Sequence, residues 1–163
     1  MMREYIIQIK DLRKHFPVKN VWGTDIALVK ALDGVDLNIE EGKTFGIVGE
    51  SGCGKTTLMR TLLRLVEPTS GSVLLSDQFL GLKGRNLENL TNEELRLFRR
   101  QIGVVFQDPM GALNPRMLIK DIVGEPLVIH GKTENFRSKV IELLNNVGLG
   151  EEHLYRYPHE FSG

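Results

Sequence analysis

The stretch Gly49-Glu50-Ser51-Gly52-Cys53-Gly54-Lys55-Thr56 decides the fold of this chain, because its spacing is that of a phosphate-binding loop. Its glycines let the backbone curl so that successive amides point at phosphate oxygens. Lys55 brings a positive charge to the β- and γ-phosphates, and the hydroxyl of Thr56 is a suitable ligand for Mg²⁺. The stretch therefore predicts a site for the phosphates of a nucleotide.

The residues on either side favour this prediction over an accidental glycine-rich turn. Residues 44–48 form a short apolar run next to glycine, which is typical of a buried parallel strand. Residues 55–66 have helical length and are followed by Pro68, which stops a helix. A helix that begins at Lys55 points its positive end at a bound anion. Cys53 stands at a variable position of the loop, where we expect it to serve as a small side chain.

Other strands are predicted before and after the loop. The patterns lie at residues 5–10, 29–39 (with a bulge near Gly34), 72–75 and 102–106, the last as a buried strand. Residues 17–28 carry proline, asparagine and glycine, and are predicted to form a loop or a hairpin.

Helices are predicted mainly in the second half. Thr91 and Glu94 match a capping box that opens a helix running to about Arg100. Thr133 is predicted to cap a longer helix that ends at Gly148. The order of elements indicates an α/β fold with a parallel sheet and a helix-rich second half.

The composition excludes several classes of protein. Lysine plus arginine and aspartate plus glutamate each total 21 residues, so the chain lacks the basic surplus of a dedicated nucleic-acid binder. The single cysteine excludes an intramolecular disulfide and a multi-cysteine zinc site. No apolar run approaches the ~18–20 residues of a membrane helix. We therefore expect a soluble intracellular domain.

Three further segments follow the loop in a diagnostic order. They are Glu67-Pro68-Thr69-Ser70-Gly71-Ser72-Val73, Val104-Val105-Phe106-Gln107-Asp108-Pro109, and Tyr157-Pro158-His159-Glu160-Phe161-Ser162-Gly163. Together with the loop, they resemble the nucleotide-binding subunits of ABC transporters, and the resemblance covers the whole chain. It implies an ABC-type ATPase fold, with a parallel core sheet, an antiparallel N-terminal β part and a helical subdomain. The expected division is about 1–107 for the ATP-binding core and about 108–163 for the helical subdomain.

The resemblance also assigns roles to single residues. Gln107 matches the Q-loop glutamine, which touches Mg²⁺ or the attacking water and senses the transmembrane partner. Phe16 lies where the family places the aromatic residue that stacks on adenine, although a core-packing role is the alternative. Ser162 and Gly163 resemble the opening of the signature motif. The implied contacts to ATP are Phe16, Gly49, Glu50, Ser51, Gly52, Cys53, Gly54, Lys55, Thr56, Thr57 and Gln107, and the implied Mg²⁺ ligands are Thr56 and Gln107.

Finer features are similar to the oligopeptide and dipeptide importer branch. They are residues 17–28, residues 112–116, Gly124-Glu125-Pro126-Leu127 with His130-Gly131, and Tyr157-Pro158-His159-Glu160. Nickel importers and phosphonate-processing ATPases look similar over these segments, so both stay open. The branch implies permease subunits and a second ATP-binding subunit as partners, a solute-binding protein acting indirectly, no nucleic acid, and a peripheral position at the cytoplasmic face of the cell membrane.

One family feature is absent from the sequence. No four apolar residues followed by Asp-Glu occur after the loop, and no residue matches the switch histidine. We therefore expect a partial nucleotide-binding domain that stops inside the signature motif, before the catalytic (Walker B) strand, and that binds ATP without turnover. A GTPase is disfavoured because no Asn-Lys-x-Asp motif is present, and a small-molecule kinase would not explain Gln107 together with Ser162 and Gly163.

Overall fold

The structure is a computed structural model that describes residues 5–76 and 84–161. The predicted signature residues Ser162 and Gly163 lie outside the described residues. The chain divides into two compact units, one up to Gly103 and one from Val104 onward.

The first unit is built on an antiparallel sheet of three strands. These are β1 (Tyr5–Lys19), β2 (Asp25–Glu40) and β3 (Ser70–Leu75), in the order β2-β1-β3. In the middle of the sheet, Ile9 pairs with Leu37 on one side and Val73 on the other. The strands predicted at 5–10, 29–39 and 72–75 are confirmed, but β1 continues far beyond residue 10.

Residues 17–28 were predicted to form a loop or a hairpin, and in the structure they form a hairpin. Asn20 closes the turn, since its side-chain oxygen accepts hydrogen bonds from the amides of Trp22 (3.0 Å) and Thr24 (2.9 Å). Pro17 is tolerated within β1 because the ladder with β3 ends at Arg13, so that its missing N–H lies on a free edge.

The bulge predicted near Gly34 is confirmed. Leu12 pairs with Val35 and Arg13 pairs with Asp33, which leaves Gly34 as the extra residue of β2. Its φ of +84° lies in the left-handed region that favours glycine.

Two helices pack against this sheet, namely α1 (Lys55–Leu62) and α2 (Asn92–Arg100). The capping box of α2 is confirmed: the Glu94 amide donates to Thr91 Oγ1 (3.3 Å), and the Thr91 amide donates to Glu94 Oε2 (2.8 Å). Helix α1 ends four residues earlier than predicted, because Arg64 adopts a φ of +50°. The core buries Ile9, Leu12, Leu32, Leu58, Val73, Leu75, Leu87, Leu90 and Phe98.

Two predicted buried strands are wrong. Residues 44–48 and 102–106 form no strand ladder within the described ranges 5–76 and 84–161. Most of their apolar side chains are exposed, with Val48 97% exposed and Val105 89% exposed, whereas Ile102 packs against the core of the first unit. A parallel strand needs hydrogen-bonding neighbours beside it, and the described part of the chain gives these two segments none. The β pairing seen in the structure is therefore the antiparallel part of the expected fold.

The second unit is helical, as predicted, with α3 (Pro109–Ala112), α4 (Ile119–Ile129) and α5 (Phe136–Asn145), followed by single 3-10 turns at Glu151–His153 and Pro158–Glu160. Its core buries Ile119, Val140, Leu144 and Leu154.

The start predicted for α5 is wrong. Asn135 is the N-cap, with a φ of +56°, and Thr133 instead accepts a hydrogen bond from the Phe136 amide through its carbonyl. Val140 and Leu144 of α5 are buried, whereas Leu143 of α5 and Val147 just after it are exposed. Within the two described ranges, no helix is long and apolar enough to span a membrane.

Candidate phosphate-binding site

The loop Gly49–Thr56 takes its shape from glycines in the left-handed region. Gly52 has a φ of +84° and Gly54 a φ of +100°. A Cβ on Gly54 would collide with the carbonyl oxygen of Ala31 and lie 3.3 Å from Leu32 Cδ2. The loop therefore lies directly against β2, and only glycine fits at this contact.

Helix α1 holds the other end of the loop. Its N-cap is Gly54, no side chain in the described part of the chain caps its amides, and its first turn contains no acidic residue. Leu58 is buried in the core, and Thr61 Oγ1 donates to the carbonyl of Thr57 at 2.8 Å. An uncapped helix N-terminus with a fixed backbone carries partial positive charge and free N–H donors, which suits an anion.

Lys55 folds back over the loop. Its Nζ donates to the carbonyl oxygens of Gly49 and Glu50, at 2.6 Å each, and lies 3.5 Å from Cys53 Sγ. The ammonium thus lies in the concave side of the loop, bonded to acceptors that a phosphate would replace. This arrangement fits phosphate binding, because the cation is already in position and its bonds are exchangeable.

The other loop residues have less specific contacts. The carbonyl oxygen of Glu50 accepts two hydrogen bonds, one from the Cys53 amide (3.3 Å) and one from Lys55 Nζ. The thiol of Cys53 is exposed and fills the space in front of Gly49, where an added Cβ would come within 2.6 Å of Sγ. Ser51 and Thr56 are exposed.

Phe16 lies in β1, opposite Val29 of β2. Its side chain is 37% exposed, and Lys14 Nζ lies 4.8 Å from the centroid of its ring. Val29 precedes by two residues the Ala31 carbonyl that contacts Gly54. Strand β2 thus connects the predicted base-stacking residue to the phosphate-binding loop.

A cluster of charged side chains around Asp33 lies on the sheet next to Phe16. Asp33 accepts from Lys30 (3.2 Å), His15 (3.2 Å) and Arg13 (3.3 Å). The hydrogen bond from Lys30 is the largest cause that lowers the pKa of the Asp33 carboxyl, with a further contribution from His15. Through Asp33, the cluster joins β2 to Arg13 and His15 of β1 next to the bulge at Gly34.

Gln107 belongs to the second unit and is exposed. It immediately precedes Asp108, the N-cap of α3, whose Oδ1 accepts from the Gly111 amide at 3.0 Å. The structure therefore brings Phe16 and the loop into one unit and places Gln107 in the other.

Sequence reasoning missed the contribution of Ala31. This residue acts through its backbone carbonyl, and its side chain carries no signal for such a contact. Only the glycine at position 54, with its large positive φ, indicates that another part of the backbone comes close.

Comparison with known proteins agrees with this geometry. The ABC transporter family matches residues 32–163. The oligopeptide transport ATP-binding protein AppF of Bacillus subtilis is 43% identical over 99% of this chain and 48% of its own length. The dipeptide transport ATP-binding protein DppF of Escherichia coli is 43% identical over 99% of this chain and 47% of its own. The chain thus spans about half the length of these curated relatives.

Solved structures of ATP-binding cassettes are also similar to this chain. A dimeric ATP-binding cassette in a post-hydrolysis state, bound to ADP and Pi, superposes with a TM-score of 0.73 at 28% identity, covering 96% of this chain and 63% of that one. A second dimeric structure, of a bacterial ABC transporter cassette, gives 0.72 at 29% identity with the same coverage. The motif order, the loop geometry and the match over residues 32–163 together show that this chain belongs to the ABC transporter family.

Proposed function

We propose that this chain forms the nucleotide-binding part of an ATP-binding subunit that couples ATP binding and hydrolysis to import of oligopeptides or dipeptides across the cytoplasmic membrane. The observation that carries the proposal is the 43% identity to peptide-transport ATP-binding proteins over 99% of the chain. The built loop, with Lys55 bonded across it, supplies the matching chemistry.

The ligand of the loop is Mg·ATP, which supplies the phosphoryl group whose transfer to water drives transport. Lys55 exchanges the carbonyls of Gly49 and Glu50 for phosphate oxygens, and the free amides at the start of α1 donate to the same anion. Thr56 offers its exposed hydroxyl to Mg²⁺, which takes few protein ligands when phosphates and water complete its shell. Phe16 stacks on adenine through its exposed ring.

The chain has two parts with separate roles in this proposal, and the boundary between them lies a few residues after the division of the compact units at Gly103. Residues of about 1–107 form the ATP-binding core and residues of about 108–163 the helical subdomain. Gln107, exposed between residues 102–106 and α3, contacts Mg²⁺ or the attacking water and senses the membrane partner. Ser162 and Gly163 belong to the signature motif that faces the loop of a second ATP-binding subunit.

The partners are transmembrane permease subunits and a second ATP-binding subunit, with a solute-binding protein acting indirectly and no nucleic acid involved. This places the protein peripherally, at the cytoplasmic face of the cell membrane. The proposal is supported by the names of the relatives AppF and DppF, which are an oligopeptide and a dipeptide transport ATP-binding protein.

The 163 residues themselves are proposed to bind ATP without turnover. The sequence contains no apolar run ending in Asp-Glu after the loop, so it offers no general base of the family's kind. Losing a positioned general base costs about 10²–10⁴-fold in rate. Phosphate release by this chain is therefore expected at background level, whereas turnover at the rate of an intact cassette would contradict the assignment.

A chimaera tests coupling to peptide import. The chain is joined to the C-terminal half of AppF and expressed in Bacillus subtilis lacking AppF, with the Lys55→Ala chimaera as the matched control. Restored uptake of a labelled oligopeptide, lost in the control, is the expected result. A chimaera that assembles and hydrolyses ATP but restores no uptake would contradict peptide import.

A further inference from the structure

Lys14 and Phe16 occupy the same side of β1, because side chains two residues apart in a strand share a face. The Lys14 ammonium lies 4.8 Å from the centre of the Phe16 ring, within the range of a cation–π contact. Beyond Arg13 the ladder with β3 has ended, and within the described residues this part of β1 forms a ladder with β2 only, although the His15 amide donates to Thr69 Oγ1 at 2.9 Å.

The carboxylate nearest along the opposite strand is already engaged. Lys14 pairs with Leu32 in the ladder, and the neighbouring Asp33 bonds Lys30, His15 and Arg13. The described contact of the Lys14 ammonium is instead the ring of Phe16.

The Lys14 ammonium lies over one face of the ring, and because an ammonium keeps its hydration, that face is one that water reaches. A nucleobase also arrives from water and needs an open face of the same ring. Since Phe16 is 37% exposed, its accessible face is limited, and cation and base compete for it. Stacking on a base is the stronger of the two contacts, so the base displaces the ammonium at a cost in affinity.

We propose that Lys14 covers the face of Phe16 on which adenine stacks, and thereby lowers the affinity for ATP without contacting the phosphates. The proposal rests on the proposed function, through the stacking role of Phe16. It makes Lys14 a residue that tunes recognition of the base, while Lys55 and the loop bind the phosphates.

The test compares two ligands that share phosphates but differ in the base. Isothermal titration on the full chain gives Kd for Mg·ATP and for Mg·tripolyphosphate, with wild type, Lys14→Met, Lys14→Arg and the control Lys19→Met. Lys14→Met keeps an apolar side chain but loses the charge, and should lower Kd for Mg·ATP by about two- to fivefold, the range of an exposed cation–π contact. Its Kd for Mg·tripolyphosphate should not change, and neither Lys14→Arg nor Lys19→Met should tighten binding of ATP.

A second variant separates competition from a structural effect. In the Phe16→Ala background, Lys14→Met should leave Kd for Mg·ATP unchanged, because the shared ring is gone. Unchanged or weaker ATP binding by Lys14→Met in the wild-type background, or a parallel change for tripolyphosphate, would overturn the proposal. Failure of the phosphate-loop assignment would give a different result. In that case Lys55→Ala would leave Kd unchanged for both Mg·ATP and Mg·tripolyphosphate.

Discussion

The sheet of the first unit and the two apolar segments at 44–48 and 102–106 have similar residues but opposite environments. In β1 and β3, Leu12 and Val73 are buried, and each strand has a ladder partner. Val48 and Val105 are equally apolar yet almost fully exposed, and their segments form no ladder within the described residues. Apolar β-forming residues thus become a strand only where a neighbouring strand satisfies their backbone.

The phosphate-binding loop connects a segment without strand pairing to a helix that packs into the core. Residues 44–48 lead into it without strand pairing, whereas α1 leads out of it into the buried core through Leu58. Its shape comes from Gly54 against Ala31 and from Lys55 across the loop. The loop is therefore formed even where the strand before it is not.

The largest expected difference is between a buried and an exposed apolar residue. Leu12→Ala removes a fully buried side chain from the sheet and should lower the free energy of unfolding by about 2–5 kcal/mol. Val105→Ala, the matched change in an exposed segment, should change it by less than about 0.5 kcal/mol. Urea denaturation followed by circular dichroism measures both. A cost at Val105 close to that at Leu12 would mean that residues 102–106 are packed in solution.

Gly54 of the loop and Gly46 of the unpaired segment before it provide the next comparison. Gly54→Ala would place a Cβ against the Ala31 carbonyl at a φ of +100°, and should cost about 1–3 kcal/mol in stability and weaken nucleotide binding. Gly46→Ala, in the exposed segment, has no atom within 4 Å of the added Cβ and should be close to neutral. Thermal melts and Mg·ATP titration of both variants test this. If the two variants behave alike, the close contact between the loop and β2 is not formed.

The smallest expected effect concerns a helix held by local bonds. Thr91→Ala removes the N-cap of α2 and should lower stability by about 1 kcal/mol. Its partner Glu94 has a lowered pKa, chiefly because its carboxylate accepts the Thr91 amide. A lowered pKa means that the carboxylate stabilises the fold above its unfolded-state pKa and ceases to do so as pH falls through the lower folded-state value.

The pH dependence can be isolated with Glu94→Gln. The difference in free energy of unfolding between wild type and Glu94→Gln should be constant near neutral pH. It should shrink as pH falls below about 4.3, the ordinary pKa of glutamate. Equilibrium unfolding at a series of pH values measures this difference. A difference that does not change with acid would show that the capping carboxylate contributes nothing through its charge.

Features set by nearby residues could be predicted from the sequence. The capping box of Thr91 and Glu94, the bulge at Gly34 and the helix after the loop all depend on side chains a few positions apart. The family also followed from the sequence, because its motifs occur in a fixed order.

Features set by distant residues could not be predicted. Apolarity alone suggested buried strands at 44–48 and 102–106, but burial depends on neighbours far away in the chain. The cap of α5 was misplaced because Asn135 adopts a left-handed φ that its pattern does not reveal. The contact of Gly54 with Ala31 is made by backbone atoms, which leave no mark in the sequence of β2.

Binding of Mg·ATP to three versions of the chain tests the central claim most directly. Wild type and Cys53→Ser should bind with similar Kd in isothermal titration, because serine keeps a small side chain before Gly49 and leaves the backbone of the loop intact. Lys55→Ala should weaken binding by roughly 10- to 100-fold, the value of a hydrogen bond to a charged group. Equal affinity of wild type and Lys55→Ala would contradict the assignment of residues 49–56 as the nucleotide phosphate site.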